Sequence, residues 1–315
     1  MANLKELSKK EELLTGGHRL CAGCGAGIIA RQVLLACNDL GKPVVVANAT
    51  GCLEVATTIF PFTAWKVPWF HSAFENAAAT ISGIETAYNA LKKKGKITEE
   101  MNFIAFGGDG GTYDIGLQSL SGAMERGHRI LYICYNNEAY MNTGIQRSSA
   151  TPKGANTTTA PSGKKSLGKV QSRKDLTAIM AAHNIPYVAQ TALGFHNDLI
   201  TKVQKALKTG GPAFMNIMQP CRLGWIYPPE ETIRLGRLAA DTCIWPIYEV
   251  ENGVYKLTYK PKEKKPVIEW LKSQGRFKHL FSAGHEEVLK QIQEDVDKNW
   301  EKLLKLCENA KKVEG

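Results

Sequence analysis

At 315 residues, 43% of them hydrophobic, the chain is long enough to bury one large core or two ordinary ones, which excludes a tail or a fibre. No apolar run approaches the roughly 20 residues that cross a bilayer, and the N-terminus lacks the pattern of a cleaved leader, so a cytoplasmic protein with no membrane contact is expected. A net charge of +10 favours anionic partners, and in a reducing compartment eight cysteines read as core fillers, metal ligands or catalysts, not disulfide staples.

In chain order, "GGHRLCAGCGAG" (16–27) holds Cys21 and Cys24 at C-x-x-C spacing among glycines. "GIIARQVLLACNDLG" then has apolar residues at helical spacing and a terminal Gly, and "PVVVANATGC" is a β-branched run that stops in a turn. "ENAAATISGIETAYNALKKKG" reads as a helix with basic residues in its last turn, and "NFIAFGGDGG" as a strand ending in glycines. The alternation continues through "IGLQSLSGAMERG" (helix), "RILYICYNN" (strand), "KDLTAIMAAHN" (helix), "IPYVAQT" (strand), "DLITKVQKALKTG" (helix) and "AFMNIMQPC" (strand). This order predicts an α/β fold: a doubly wound, largely parallel sheet with helices on both faces. Beyond Pro228 the pattern loosens through the Lys/Pro-rich "YKPKEKKP" to a final helix from about Glu286. The expected division is therefore a cofactor-binding domain over 1–228 and a C-terminal extension over 229–315.

From Ala139 to Lys174 the chain carries seven basic residues and no acid in a Gly, Ser, Thr and Pro-rich stretch, which predicts a long loop. Its basic part, 147–174, reads either as a solvated surface or as a wall facing an anion. Without aromatic interleaving or a nucleic-acid motif, no nucleic-acid partner is expected.

"FGGDGG" and Asn136-Asn137 follow two successive strands of a parallel unit, so both lie at carboxyl ends that face one crevice. Gly108 and Gly110 let the backbone approach a phosphate, while Asp109 and the Asn137 side chain offer hard oxygens of the kind Mg2+ shares with phosphates. A lone Gly-Asp-Gly is more often a tight turn; its pairing with Asn-Asn argues for a diphosphate site. Neither a P-loop nor a dinucleotide fingerprint is present.

The cysteines sort by position. Cys37 falls in a helical stretch and Cys134 in a strand, and both read as core. Cys243 and Cys307 lie in the extension and carry no functional argument. Cys52 and Cys221 follow strand ends and, with Cys21 and Cys24, make a quartet on turns. The spacing leaves structural zinc and iron–sulfur ligation both open, and the strand-to-helix setting of a thioredoxin-like pair is missing.

Gly108-Asp109-Gly110 followed by Asn136-Asn137 resembles the signature of thiamine-diphosphate enzymes. "ATGCLEVATTIFPFTAWKVPW", "FENAAAT", "GGDGGTYDIGLQSLSGAMERGH", "NNEAYMNTGIQRSSATP" and "GRFKHLF" resemble the β subunit of the pyruvate:ferredoxin oxidoreductase family over nearly the whole chain. The resemblance implies thiamine diphosphate and Mg2+, with Asp109, Asn137 and the Ala139 carbonyl on the ion and Asn142 near the reacting carbon. It also implies that Cys21, Cys24, Cys52 and Cys221 hold a 4Fe-4S cluster. The implied reaction is oxidative decarboxylation of a small 2-oxoacid, pyruvate foremost, with electrons passing to ferredoxin and the acyl group to coenzyme A. An oxalate-oxidising relative would need no coenzyme A. Outside that class stand a zinc-containing thiamine decarboxylase or synthase and a zinc-containing binding module. Glu54 and Glu75 are the carboxylates available to activate thiamine, but in the family that glutamate comes from an α-type partner subunit, so the chain resembles half of an active site. Trp69 and His71 read as structural.

Overall fold

The computed structural model describes residues 4 to 314. Its centre is one eight-stranded sheet in the order β2-β1-β3-β4-β6-β5-β7-β8. The strands are β1 Val44–Ala49, β2 Trp69–Ser72, β3 Asn102–Gly108, β4 Leu131–Asn136, β5 Tyr187–Ala192, β6 Ala213–Met218, β7 Ile247–Glu251 and β8 Val254–Tyr259. The first six pair in parallel; β7 runs antiparallel to β5, and β8 antiparallel to β7. The α-helices are α1 Leu4–Leu7, α2 Gly25–Asp39, α3 Cys52–Thr57, α4 Ala77–Lys93, α5 Leu117–Glu125, α6 Leu176–Ala181, α7 His196–Lys208, α8 Arg222–Trp225, α9 Thr232–Asp241, α10 Val267–Lys272 and α11 Glu286–Glu314.

The parallel sheet explains the apolar runs. Strands β1, β4, β5 and β6 are buried at every residue, because helices cover both faces and no position along them meets water. Successive residues serve opposite layers. Val45, Ala47, Phe103 and Phe214 pack with α4, α5, α6, α9, α10 and α11, whereas Val44, Val46, Ile104 and Met215 pack with α2 and α7. The α/β, doubly wound expectation holds.

Strands β2, β7 and β8 and helices α3, α8, α9 and α10 lie outside the predicted elements. Strand β2 is an edge of four partly exposed residues, too short and too polar to show a burial period. Strands β7 and β8 extend the same sheet, and Trp245, Trp270, Phe277 and Trp300 from residues 229–315 join the apolar layer that holds Phe103 and Phe214.

From β1 the chain crosses to β2 on one side, and from β3 to β4 on the other. The carboxyl ends of β1 and β3 therefore flank a topological switch point, where open α/β sheets form a crevice.

Candidate cofactor and metal site

Asp109 directly follows β3, is fully buried, and begins a π-helical turn over Gly110–Ile115. Its Oδ1 accepts from the Asn137 backbone N–H at 3.2 Å and its Oδ2 from the Ser148 hydroxyl. Burial pushes the carboxyl up to about 7, with the Ser148 and Asn137 donors opposing and the Glu138 charge adding. Burial thus favours the protonated carboxyl, and a neighbouring cation would favour the ionised one.

Asn137 supplies the second oxygen. Its side-chain amide lies 2.8 Å from the Ala139 carbonyl oxygen and 2.9 Å from Asp109 Oδ1, with its NH2 group donating to both in one orientation and its oxygen facing both in the other. At its other end the amide meets the Gln219 side-chain amide at 3.2 Å. With its oxygen inward the three groups form an all-oxygen set, the kind that suits magnesium. The donor set fits the ion.

The backbone between these ligands is held in an unusual state. Glu138 has a φ of 67°, and its carboxylate is fully buried between the guanidinium groups of Arg173 and Arg276. Arg276 also stacks 4.0 Å over the Trp225 ring, whose Nε1–H donates to the Asn137 carbonyl at 2.8 Å. The left-handed turn at Glu138 is what lets Asn137 and Ala139 present oxygens to one point. A Cβ on Gly110 would stand 2.4 Å from the Tyr140 ring, and the Tyr140 hydroxyl donates to the Gly110 carbonyl at 2.8 Å, so the glycine admits the loop that carries Ala139.

Asn137, Ala139, Gly110 and Tyr140 line a cleft of about 30 Å³ together with Thr50–Cys52, Gly108 and Gly111, with Asn142 exposed on its rim and Asp109 buried behind it. No Asp or Glu side chain is among its lining residues. Glu54 instead lies 3.7 Å from His71, which bonds Thr50 Oγ1 at 2.8 Å and stacks on Trp69. Glu75 holds the Ser119 hydroxyl through its carbonyl. A larger cavity of about 410 Å³ lies elsewhere, between the 172–176 segment and α11.

Three of the four cysteines expected on turns sit at helix starts. Cys24 caps the start of α2, Cys52 is the first residue of α3 and so not on a turn, Cys221 precedes α8, and Cys21 is exposed. Their charges couple. Burial pushes Cys24 up to about 11, with Cys221 and Cys21 adding, and pushes Cys52 up to about 12, with Cys221, Cys24 and Cys21 adding. Burial also raises Cys221, opposed by the N–H groups of Gly224 and Leu223; those of Ala26 and Gly27 oppose the shift at Cys24. Buried thiols that share helix-start donors are poised to be ligated thiolates once a positive centre is supplied. Among the described residues no three His, Cys, Asp or Glu side chains form a group that could hold a metal ion, so the quartet is not a closed cage. Cys37, Cys134, Cys243 and Cys307 are buried in the core layers.

Residues 137–175 contain no helix or strand, as the loop expectation had it. Much of their charge turns inward: Lys153 pairs with Asp295 at 3.1 Å, Arg173 with Glu138, and Lys174 with Asp114 at 3.7 Å, while Lys169 donates to the Ser149 and Thr151 carbonyls. Arg147, Lys164 and Lys165 remain exposed. Ser148, Glu138, Arg276 and Gln219 went unrecognised in the sequence. The last alone carried a local signal, a polar residue at a strand end two positions before Cys221.

Residues 49–217 match the family described as the C-terminal, TPP-binding domain of thiamine pyrophosphate enzymes, so the sheet and cleft are those of a thiamine-diphosphate-binding protein. The chain is 54% identical to the pyruvate synthase subunit PorB of Thermotoga maritima, over 98% of this chain and 96% of that one. It is 44% identical to the ketoisovalerate oxidoreductase subunit VorB of Pyrococcus abyssi, over 95% and 94%. A 2-oxoglutarate:ferredoxin oxidoreductase from Magnetococcus marinus shares the fold, with a TM-score of 0.56, 20% identity and 66% of each chain covered. The chain belongs to the β-subunit family of the pyruvate:ferredoxin oxidoreductases, 2-oxoacid oxidoreductases built from several subunits. Among the described residues no helix is long and apolar enough to cross a membrane.

Proposed function

We propose that this chain is the subunit of a pyruvate:ferredoxin oxidoreductase that carries the thiamine diphosphate, its Mg2+ and a 4Fe-4S cluster, and that the complex converts pyruvate to acetyl-CoA and CO2. One observation supports the reading: the Asn137 side-chain amide, the Ala139 carbonyl and the buried Asp109 carboxyl meet within 2.9 Å at one end of a crevice, with four thiols beside it, of which Cys24, Cys52 and Cys221 are pushed up by burial and by the charge of the others. When bound, thiamine diphosphate supplies the carbanion chemistry that releases CO2 from a 2-oxoacid, and the cluster takes up the electrons. The chain's own residues do the holding. Asp109, Asn137 and the Ala139 carbonyl would hold the metal and, through it, the diphosphate; Gly108 and Gly110 would let the backbone come close; Asn142, on the rim of the cleft, would lie near the reacting carbon, as the family resemblance implies.

Cys21, Cys24, Cys52 and Cys221 are assigned to the cluster. A tetrahedral zinc draws four sulfurs to about 2.3 Å from one centre. A cluster spreads its thiolates over several irons, and the family resemblance favours the cluster. The names of the curated relatives favour pyruvate over other 2-oxoacids. The test is purification of the native complex without oxygen, assay of iron and thiamine diphosphate, and ferredoxin reduction with pyruvate, longer 2-oxoacids and oxalate. Iron with coenzyme A-dependent turnover of pyruvate is expected. A colourless zinc protein, or oxalate as the sole substrate, would overturn the reading.

A further inference from the structure

Gln219 follows β6, is 2% exposed, and has both ends of its side-chain amide engaged. Its Oε1 accepts from Asn137 Nδ2 at 3.2 Å, and its Nε2 donates to Cys24 Sγ at 3.8 Å. The side chain is fixed from behind: its backbone N–H donates to the Asn136 carbonyl at 2.7 Å, and a Cβ on Gly25 would stand 2.7 Å from Gln219 Cγ, so the glycine after Cys24 makes room for the amide. One buried amide thus touches a residue of the oxygen set and a residue of the thiol set, which come from chain segments more than a hundred residues apart.

We infer that Gln219 is a positioning residue that couples the metal-diphosphate end of the cleft to the cysteine quartet. The inference rests on the reading of the two sites proposed above. Accepting from Asn137 Nδ2 fixes the orientation of that amide, and so aims Asn137 Oδ1 at Asp109 and Ala139. Donating to Cys24 Sγ stabilises added negative charge on the sulfur, which raises the reduction potential of a cluster bound there. With Asn137 Oδ1 turned to a cation, its NH2 group faces Gln219, which then serves both partners only with its oxygen toward Asn137 and its NH2 toward Cys24; glutamate, of the same shape, keeps the acceptor and loses the donor.

The test compares the wild-type complex with Gln219→Leu and Gln219→Glu variants, purified without oxygen. Cluster potential is read by spectroscopically monitored redox titration, and Mg2+ affinity by calorimetry at saturating thiamine diphosphate. Gln219→Leu is expected to lower the potential and to weaken Mg2+ binding roughly tenfold. Gln219→Glu is expected to lower the potential without weakening Mg2+ binding, a split that general damage to packing would not give. If Gln219→Leu binds iron poorly, the Gln219→Glu split decides. Unchanged potential and affinity in Gln219→Leu, or a shift in one alone, overturns the coupling while the sites stand. A wild-type complex without iron overturns the site reading and this inference together.

Discussion

Asp109 shows how one residue's environment sets its task. Its carboxyl is fully buried with two donors on it, and burial still pushes its pKa up to about 7, so a cation beside it, as proposed above, would favour the ionised form. Asp109→Ala is expected to weaken Mg2+-dependent thiamine diphosphate binding by more than about tenfold, read by calorimetry; unchanged affinity would mean the metal lies elsewhere. The cysteines divide on the same principle. Cys52 begins α3 beside three coupled thiols, whereas Cys37 is wholly inside an apolar layer. We expect Cys52→Ser to cost iron and ferredoxin reduction while thiamine content stays near wild type, because a serine oxygen is a harder and poorer ligand for cluster iron. Cys37→Ser should leave iron unchanged and lower stability by about 1–3 kcal/mol, the usual cost of burying a hydroxyl without a partner. Iron loss in the second variant and not the first would reverse the sorting.

At the scale of elements, the loop after β4 is held by inward-facing cations as much as by apolar contacts. Glu138 keeps its left-handed backbone because Arg173 and Arg276 clamp its carboxylate. Removing one partner of a buried pair leaves charge uncompensated, so Arg276→Met should cost about 3 kcal/mol in urea unfolding and weaken Mg2+ binding as well, since Asn137 and Ala139 flank the clamp. An effect on stability alone would separate the clamp from the site. Lys169 fastens the next stretch through the Ser149 and Thr151 carbonyls, next to the Ser148 that bonds Asp109. Burial pulls its amine down from 10.5 to about 8. Between those values the unfolded chain holds a proton that the folded one has lost, so unfolding takes up a proton and stability rises with pH across that window. Below about pH 8 both states are protonated and the slope vanishes. Lys169→Met should flatten the rise of the urea midpoint between about pH 8 and 10; a slope that persists would assign it to another group.

At the scale of the whole molecule, the cleft assigned above to the cofactor is small. A cleft of about 30 Å³ holds a water or two, far short of the roughly 300 Å³ of an ordinary ligand site, and its lining includes no carboxylate. The isolated chain is therefore expected to bind Mg2+ and diphosphate at its own end of the cofactor but not to turn over pyruvate. Ferredoxin reduction by the chain alone, assayed beside the reconstituted complex, would show that the activating carboxylate lies within these residues after all.

Sequence by itself determined the elements that repeat. Buried parallel strands are continuous apolar runs, amphipathic helices have a period, and glycines at strand ends mark where backbone meets ligand; these depend on local chemistry, and β1, β3, β4, β5 and β6 fell where that chemistry put them. Asp109, Asn137 and the C-x-x-C were legible for the same reason: each is a short motif with its meaning in adjacent residues. Tertiary structure alone decided the rest. Strands β7 and β8 are strands because β5 offers an edge, and their half-polar pattern does not announce it. Glu138, Arg173 and Arg276 meet across more than a hundred residues, and Gln219 joins Cys24 to Asn137 only because β6 lies beside β4 in the sheet. Partners that distant leave no spacing in the chain; the fold brings them together because buried charges and amides must be paired where they end up, and that place is a property of the sheet order.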